Sequence, residues 1–260
     1  MCVAEGVAPQ AASAACEPYS ARPLRFSLAI ARRAWQRRAE RLRQTATRAR
    51  EFAVRAIILN RYSIINEYRG ARLGRIDQSC FLPGALTALR WLRLAGFNVF
   101  VISHQPQISR GQVSRSDVDE LHACLRSWVE LSGGQISAVR YCTAEGADQP
   151  NEQLPHYTML MDLARDCNLT LACTYFVGDT LHDMRAGRAA GSRIVMVRTG
   201  YGADQAAAPE IERCAPEFIA PDLLGAVRWV LRQERLTLPS IESDTMLRRS
   251  LLPTPAIVAI

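Results

Sequence analysis

Short apolar runs alternate with longer amphipathic stretches through the central part of the chain. The runs predict β-strands over residues 54–59, 98–103, 138–141, 173–177 and 193–197. The stretches between them have helical periodicity and predict helices over residues 83–95, 116–131, 157–167, 181–190 and 221–234. Pro83 suits a first helical position, and Gly96 and Gly191 suit helix ends. Strands that alternate with helices favour an α/β fold in which helices sandwich a parallel sheet.

The two ends of the chain follow different patterns. Residues 1–20 are small and polar, which predicts disorder. In residues 21–53 a seven-residue repeat of Leu28, Trp35 and Leu42 runs between arginines, which predicts an amphipathic helix. Residues 237–260 contain three prolines and no helical period, which predicts a tail. The main domain is therefore expected over residues 54–236.

The positive charge of the chain is concentrated in one segment. The formal net charge is +7, but residues 21–56 hold eleven arginines and two glutamates, so this segment carries +9 and the rest −2. We therefore expect no nucleic-acid partner for the main domain. For the basic helix, docking on its own domain or on a partner helix is the favoured interpretation. An anionic membrane surface or RNA is the alternative.

The compartment is predicted from cysteine usage and apolar run length. The eight cysteines show no C-x-x-C spacing and several lie in apolar runs, which favours reduced, buried thiols. We expect no membrane span and no secretory signal, since no apolar run is long enough and residues 1–20 lack an apolar centre. A cytoplasmic protein is the prediction. The arginine-rich, acid-poor stretch from Ser20 leaves an organellar transit peptide as the alternative.

Polar residues follow the predicted strands at their carboxyl ends, where ligands bind in doubly wound sheets. The relevant stretches are Asn60-Arg61-Tyr62, Ser103-His104-Gln105, Leu154-Pro155-His156, and Gly178-Asp179 with Asp183. His104 and His182 fall in strand-end loops, where the favoured interpretation is a solvated histidine and the alternative is a meeting of the two in the cleft. From the residues alone, a structural alternative is that Asp179 caps the helix that starts at Thr180 and that Asp183 is a solvated first-turn carboxylate.

The order and spacing of these stretches resemble the haloacid dehalogenase-like (HAD) superfamily. The most similar branch holds the D-glycero-D-manno-heptose 1,7-bisphosphate and histidinol-phosphate phosphatases. The residues that carry the resemblance are the run from Val177 to Gly187, Ile108-Ser109-Arg110-Gly111, Phe81-Leu82-Pro83-Gly84 and Val197-Arg198-Thr199-Gly200. The resemblance implies a Rossmann-like HAD fold over about residues 54–200, and the short spacing between motifs predicts no large cap domain.

The resemblance also implies a catalytic machinery, and this chain departs from it at three positions. The family uses an aspartate nucleophile, an aspartate acid two residues later and a lysine that offsets phosphoryl charge. Here Asn60 stands at the nucleophile position, Tyr62 at the acid position and Leu154 at the lysine position. An amide has no charge and negligible nucleophilicity, and a phenol is a poor proton shuttle near neutral pH. No other lysine substitutes, because the chain has none.

Other family positions are retained. By the resemblance Ser103, Gln105 and Arg110 are candidates for holding a phosphate group, and Asp179 and Asp183 are candidates for a Mg²⁺ site. Without an anionic residue at position 60 the site should bind Mg²⁺ weakly. The branch often carries a zinc held by cysteines and a histidine. Cys142 stands at the corresponding place without the other ligands, so we expect no zinc.

Three functional hypotheses follow. The favoured one is an inactive or strongly impaired phosphatase homologue that binds a phosphorylated small molecule or a protein. The second is an active Mg²⁺-dependent phosphomonoesterase of the heptose-bisphosphate type. The third is a scaffold that acts through its arginine-rich helix. Residue 60 discriminates the first two, because chemistry that depends on a carboxylate cannot run on an amide.

Overall fold

The computed structural model describes residues 54–67, 80–143 and 155–236. These residues belong to one unit that spans residues 49–260. The predictions for residues 1–20, 21–53 and 237–260, and for Leu154, lie outside the described residues.

The described residues form a sheet of six parallel strands. In chain order the strands are β1 (Ala56–Asn60), β2 (Asn98–His104), β3 (Ala138–Cys142), β4 (Tyr175–Gly178), β5 (Arg193–Val197) and β6 (Phe218–Ala220). The order across the sheet is β3-β2-β1-β4-β5-β6, with Leu59 in register with Val101 on one side and Val177 on the other. The direction of winding reverses between β1 and β4. In doubly wound sheets the ligand crevice lies outside the carboxyl ends of the strands at this reversal.

Helices connect the strands. They are α1 (Ala85–Leu94), α2 (Pro106–Ser109), α3 (Arg115–Leu131), α4 (Pro155–Asp166), α5 (Leu181–Ala189), α6 (Gly202–Gln205), α7 (Ile211–Cys214) and α8 (Leu223–Gln233), with a 3₁₀ turn at Leu171–Cys173. Among the described residues, no helix is long and apolar enough to cross a membrane. In the same ranges, no separate cap domain follows β1 or β2.

Each face of the sheet has its own apolar core. Ile57 and Leu59 of β1 pack into a cluster with α1, α3 and α8, whereas Ile58 packs into a second cluster with α4 and α5. All three side chains are fully buried, because successive side chains of a strand point to opposite faces and this sheet is covered on both. The same alternation sends Asn60 and Arg61, at the end of β1, to opposite sides of the sheet.

The predicted α/β fold is confirmed, and most predicted elements agree with the structure to within two residues. One boundary prediction is wrong: α1 begins at Ala85, and Pro83 precedes it because Gly84 caps the helix with a φ of 77°. The prediction omitted β6, which has 3 residues, too few to show a period of two. Gly96 and Gly191 follow their helices at φ of 75° and 74°, as the sequence predicted.

Candidate active site

A polar cleft of about 790 Å³ lies over the carboxyl ends of β1, β2 and β4. Asn60, Tyr62, His104, His156, Asp179 and Tyr201 are among the residues that line it. The strand ends therefore converge where the sequence placed its candidate chemistry. The volume is typical of small-molecule sites in proteins.

Both ends of the Asn60 side-chain amide are held by the protein. The Arg61 backbone N–H donates to Asn60 Oδ1 at 2.8 Å. Asn60 Nδ2 donates to both carboxylate oxygens of Asp183 at 3.3 Å. The reverse orientation would set the amide oxygen against a carboxylate and the NH₂ group against an N–H, so these partners determine which way the amide points. At the position that the resemblance assigns to the nucleophile, the chain therefore presents a hydrogen-bond donor towards Asp183.

Asp183 is a fully buried carboxylate surrounded by donors. Its Oδ2 accepts from the Asp179 and Thr180 backbone N–H groups, both at 3.1 Å, and from the Thr180 hydroxyl at 2.8 Å. Its Oδ1 accepts from His156 Nδ1. Burial acts to raise the Asp183 pKa, but the charge and hydrogen bond of His156, together with Thr180, outweigh burial and hold the pKa below its ordinary value. Asp183 is therefore an anion whose charge is compensated within the protein.

Asp179 is also buried, with two per cent of its surface exposed. Its pKa, however, is shifted in the opposite direction to that of Asp183. Burial, and then repulsion from Asp183, raise the Asp179 pKa to about 7 despite the hydrogen bonds that favour its charged form. One of these bonds comes from the Tyr201 N–H to Oδ2 at 3.2 Å. The interpretation of Asp179 as a helix cap is wrong, because Thr180 caps α5. The interpretation of Asp183 as a solvated carboxylate is also wrong, since it is buried.

Gly200 lets the loop after β5 approach Asp179. Its φ is 58°, in the left-handed region, and a Cβ atom there would overlap Ser63 and the Asp179 carboxylate. No other residue type fits this position without displacing one of them.

On the other face of the sheet, Arg61 is buried with neutral partners. It is 1% exposed, and its Nε donates to Asn66 Oδ1 at 3.3 Å while its Nη1 lies 2.9 Å from His122 Nε2. Burial lowers the Arg61 pKa. Burial, and then the Arg61 charge, lower the His122 pKa to about 4, so the His122 imidazole is neutral and accepts the bond.

Tyr62 is positioned by this buried arginine. The Arg61 guanidinium lies 4.0 Å from the Tyr62 ring centroid, in a cation–π arrangement. Gln105 Nε2 donates to the Tyr62 hydroxyl at 3.4 Å. A phenol therefore stands in the cleft at the position that the resemblance assigns to the acid.

The three candidate phosphate contacts lie in different environments. Ser103 is fully buried and accepts from Gln105 Nε2 at 2.6 Å, whereas Arg110 is exposed at the end of α2. From this part of the chain, His104, Pro106 and Gln107 line the cleft. The phosphate-binding role of Ser103, Gln105 and Arg110 stays a prediction.

His104 does not meet His182 in the cleft, and the favoured interpretation of His182 as a solvated histidine agrees with the structure. His182 is exposed on α5, and the ring that faces His104 is that of His156, with centroids 6.4 Å apart. The His156 side chain is 13% exposed. The proximity of Pro155-His156 to a strand end was visible in the sequence, but its pairing with Asp183 was not, because the two residues belong to different helices.

The donor set does not fit the magnesium ion that the fold family implies. Mg²⁺ needs oxygen ligands with free lone pairs. Here both Asp183 oxygens already accept hydrogen bonds, and Asn60 turns its nitrogen to them. Within the described ranges, no group of three or more His, Cys, Asp or Glu residues is arranged to hold a metal. Cys142, the residue considered for zinc, lies half-buried at the end of β3.

Comparison with known proteins identifies relatives with this architecture. The HAD-hydrolase-like family model matches residues 154–226. The D-glycero-beta-D-manno-heptose-1,7-bisphosphate 7-phosphatase of Neisseria meningitidis serogroup A is 31% identical over 149 residues, which cover 57% of this chain and 80% of that protein. The enzyme of the same name from Pseudomonas putida is 31% identical over 150 residues, which cover 57% of this chain and 85% of that protein.

Solved structures that are similar to this chain also include heptose bisphosphate phosphatases. The D,D-heptose 1,7-bisphosphate phosphatase of B. bronchiseptica, crystallised with magnesium and phosphate, aligns with a TM-score of 0.59 at 26% identity, over 69% of this chain and 99% of that chain. The corresponding phosphatase of Burkholderia thailandensis aligns with a TM-score of 0.53 at 24% identity, over 68% of this chain and 98% of that chain, and supports the fold. The chain therefore belongs to the HAD-like hydrolases, in the family that contains the heptose-1,7-bisphosphate phosphatases.

Proposed function

We propose that this chain is a HAD-like sugar-phosphate phosphatase homologue in which hydrolysis is lost or strongly impaired, and whose cleft binds a phosphorylated small molecule. The observation that carries this proposal is the Asn60 amide, held at both ends beside Asp183. An amide oxygen that accepts a hydrogen bond and carries no charge does not attack phosphorus at a useful rate.

The second departure supports the same conclusion. A general acid has to give a proton to the leaving oxygen near neutral pH. Tyr62 supplies a phenol there, and its ring lies against the Arg61 guanidinium. That arrangement supports a fixed, bulky side chain in the cleft rather than an exchangeable carboxyl group.

The cleft retains features that suit a phosphorylated ligand. His156 Nε2 is buried and has no hydrogen-bond partner among the described residues, while His156 lines the cleft. A buried polar atom left without a partner costs free energy that a phosphate oxygen would recover. The relatives are named for a heptose bisphosphate, so a sugar phosphate is the ligand class we propose. A protein surface is the alternative occupant of the cleft.

Turnover tests the loss of catalysis. We expect no phosphate release from heptose 1,7-bisphosphate or from a panel of small phosphate esters with Mg²⁺, above the level of the Asp179→Asn variant. Asn60→Asp alone should gain little, because catalytic groups that act as a unit are not additive. The triple variant Asn60→Asp, Tyr62→Asp, Leu154→Lys should hydrolyse a small ester weakly but measurably. Robust Mg²⁺-dependent turnover by the unmodified chain, abolished by Asp179→Asn, would establish the active phosphatase instead.

Thermal shift tests the ligand. A ligand that binds the folded state alone raises the melting temperature, by an amount that grows with its concentration over Kd. Heptose 1,7-bisphosphate should raise the melting temperature of the unmodified chain, and the unphosphorylated heptose should not. His156→Ala should reduce the shift. An equal shift with both sugars, or no shift with either, contradicts the proposed ligand class.

A further inference from the structure

We infer that Asn60 and His156 close the Asp183 carboxylate to divalent cations, so that a hydrogen-bonded network takes the place of the magnesium ion implied by the fold family. This inference deepens the proposed function. It goes beyond the loss of one negative charge at residue 60, because it assigns an active blocking role to two side chains. It also separates phospho-ligand binding from any metal.

Asp183 has no vacant position for a cation. An ionised carboxylate has about four lone-pair directions. Asp183 already accepts from five groups, which are the backbone N–H of Asp179, the backbone N–H and hydroxyl of Thr180, Asn60 Nδ2 and His156 Nδ1. A cation has to displace at least one of these donors, and the displaced donor loses a hydrogen bond to a charged acceptor.

Asn60 is unable to become a metal ligand by turning over. The oxygen of an asparagine amide is an acceptable ligand for a hard cation. At this position the amide oxygen is held 2.8 Å from the Arg61 N–H. Rotation of the amide would break that bond and set the NH₂ group against the same N–H. The donor end of Asn60 therefore stays on Asp183.

His156 reinforces the closure from a different helix. It lies in the first turn of α4, and its ring meets Phe176 edge-on with centroids 6.4 Å apart. The proton that Nδ1 donates to Asp183 lies where a cation would need to approach Oδ1. An imidazole N–H and a divalent cation cannot share that oxygen direction.

Asp183 is also prevented from moving away from the network. A Cβ atom on Gly178 would overlap the Asp183 side chain, which shows how closely this carboxylate packs on the end of β4. The Thr180 hydroxyl and backbone N–H anchor it further. Of the predicted metal pair, Asp179 is the carboxylate that lines the cleft, and it already accepts from the Tyr201 N–H. One such carboxylate makes a weak Mg²⁺ site.

Direct binding of Mn²⁺ tests the closure without any need for turnover. Mn²⁺ shares the oxygen preference of Mg²⁺ and can be followed by electron paramagnetic resonance. The full chain is titrated as the unmodified protein, as Asn60→Asp, as His156→Ala and as the double variant. His182→Ala is the matched control, since it removes an exposed histidine beside Asp183 on the same helix.

We expect no saturable Mn²⁺ binding to the unmodified chain or to His182→Ala at millimolar metal. His156→Ala in the Asn60→Asp background should tighten Mn²⁺ binding by about tenfold or more over Asn60→Asp alone, as expected when a hydrogen bond to a charged group no longer competes. Asp179→Asn added to the double variant should abolish the gain. Circular dichroism melting curves check that each variant is folded. His156→Phe, which keeps a ring but has no N–H donor, serves if His156→Ala does not fold.

Two results would overturn the inference. The first is sub-millimolar Mn²⁺ binding by the unmodified chain that disappears in Asp179→Asn. The second is an affinity in the double variant equal to that of Asn60→Asp, which would show that charge alone excludes the metal. The unmodified chain has no carboxylate at residue 60. If it binds Mn²⁺ and still fails to hydrolyse esters, this inference is contradicted while the proposed function stands.

Discussion

Two helices of this protein begin with the same local motif and differ in what the motif does. At α3 the Ser114 hydroxyl accepts from the Asp117 N–H at 3.1 Å, and the Asp117 carboxylate accepts from the Ser114 N–H at 3.0 Å. At α5 the Thr180 hydroxyl accepts from the Asp183 N–H at 3.1 Å, and the Asp183 carboxylate accepts from the Thr180 N–H at 3.1 Å. Both are capping boxes with nearly identical geometry.

The surroundings of the two aspartates differ. Asp117 is exposed, and its hydrogen bonds from Ser114 lower its pKa. Asp183 is fully buried and also binds Asn60 and His156, side chains that lie on a strand and on another helix. Of the two capping aspartates, Asp183 also contacts residues of the cleft, because its helix starts beside the end of β1. The comparison shows that local geometry alone does not make a functional residue.

The largest expected difference is in stability after deletion of each carboxylate. Asp183→Ala should lower the free energy of unfolding by about 3–5 kcal/mol, because five hydrogen-bond donors lose a fully buried, charged acceptor. Asp117→Ala should have a much smaller effect, since water replaces the lost acceptor. Urea denaturation followed by circular dichroism measures both. Equal losses for the two variants would show that Asp183 is no more than a cap.

The residues that precede the two capping residues differ, and this difference predicts how the free energy of unfolding depends on pH. Asp179 precedes Thr180, whereas Val113 precedes Ser114. Because the folded-state pKa of Asp179 is about 7, above its unfolded value, the folded protein binds the extra proton. The stability that this proton provides is present below pH ~4 and is lost as the pH rises to ~7, by up to about 4 kcal/mol.

His122 contributes with the opposite sign over nearly the same range. Its folded-state pKa of about 4 lies below its ordinary value, so the unfolded chain binds more protons and stability rises with pH from ~4 to ~6.5. The difference between the unmodified chain and Asp179→Asn, measured by urea denaturation at several pH values, isolates the Asp179 contribution. A pH-independent difference contradicts the raised pKa.

The smallest expected effects come from the capping hydroxyls. Ser114→Ala should cost about 1 kcal/mol and Thr180→Ala about 2 kcal/mol, because the Thr180 hydroxyl also donates to the buried Asp183 carboxylate. Thr180→Ser keeps the hydroxyl and should recover most of the loss. Melting curves of the three variants give the ranking, and a larger loss at Ser114 than at Thr180 would be inconsistent with the proposed network.

Much of the architecture was predictable because it rests on short-range patterns. The alternation of strand runs and helices placed Asn60, Tyr62, Asp179 and Asp183 near strand ends. The sequence did not indicate the bond between Asn60 and Asp183, whose partners are separated by 123 positions. It also gave no sign that His156 is the histidine that faces His104, because nothing local shows that the His156 ring turns into the cleft.

The sequence by itself determined the order of strands and helices, the amide at the end of β1 and the two Ser/Thr-x-x-Asp motifs, since each depends on residue type or on neighbours within one helical turn. Only the tertiary structure decided which capping aspartate is buried and which histidine meets it. It also decided that the Asn60 amide turns its nitrogen to that aspartate. Burial and long-range hydrogen bonds depend on how the sheet brings β1, α4 and α5 together, and no local pattern along the chain encodes that arrangement.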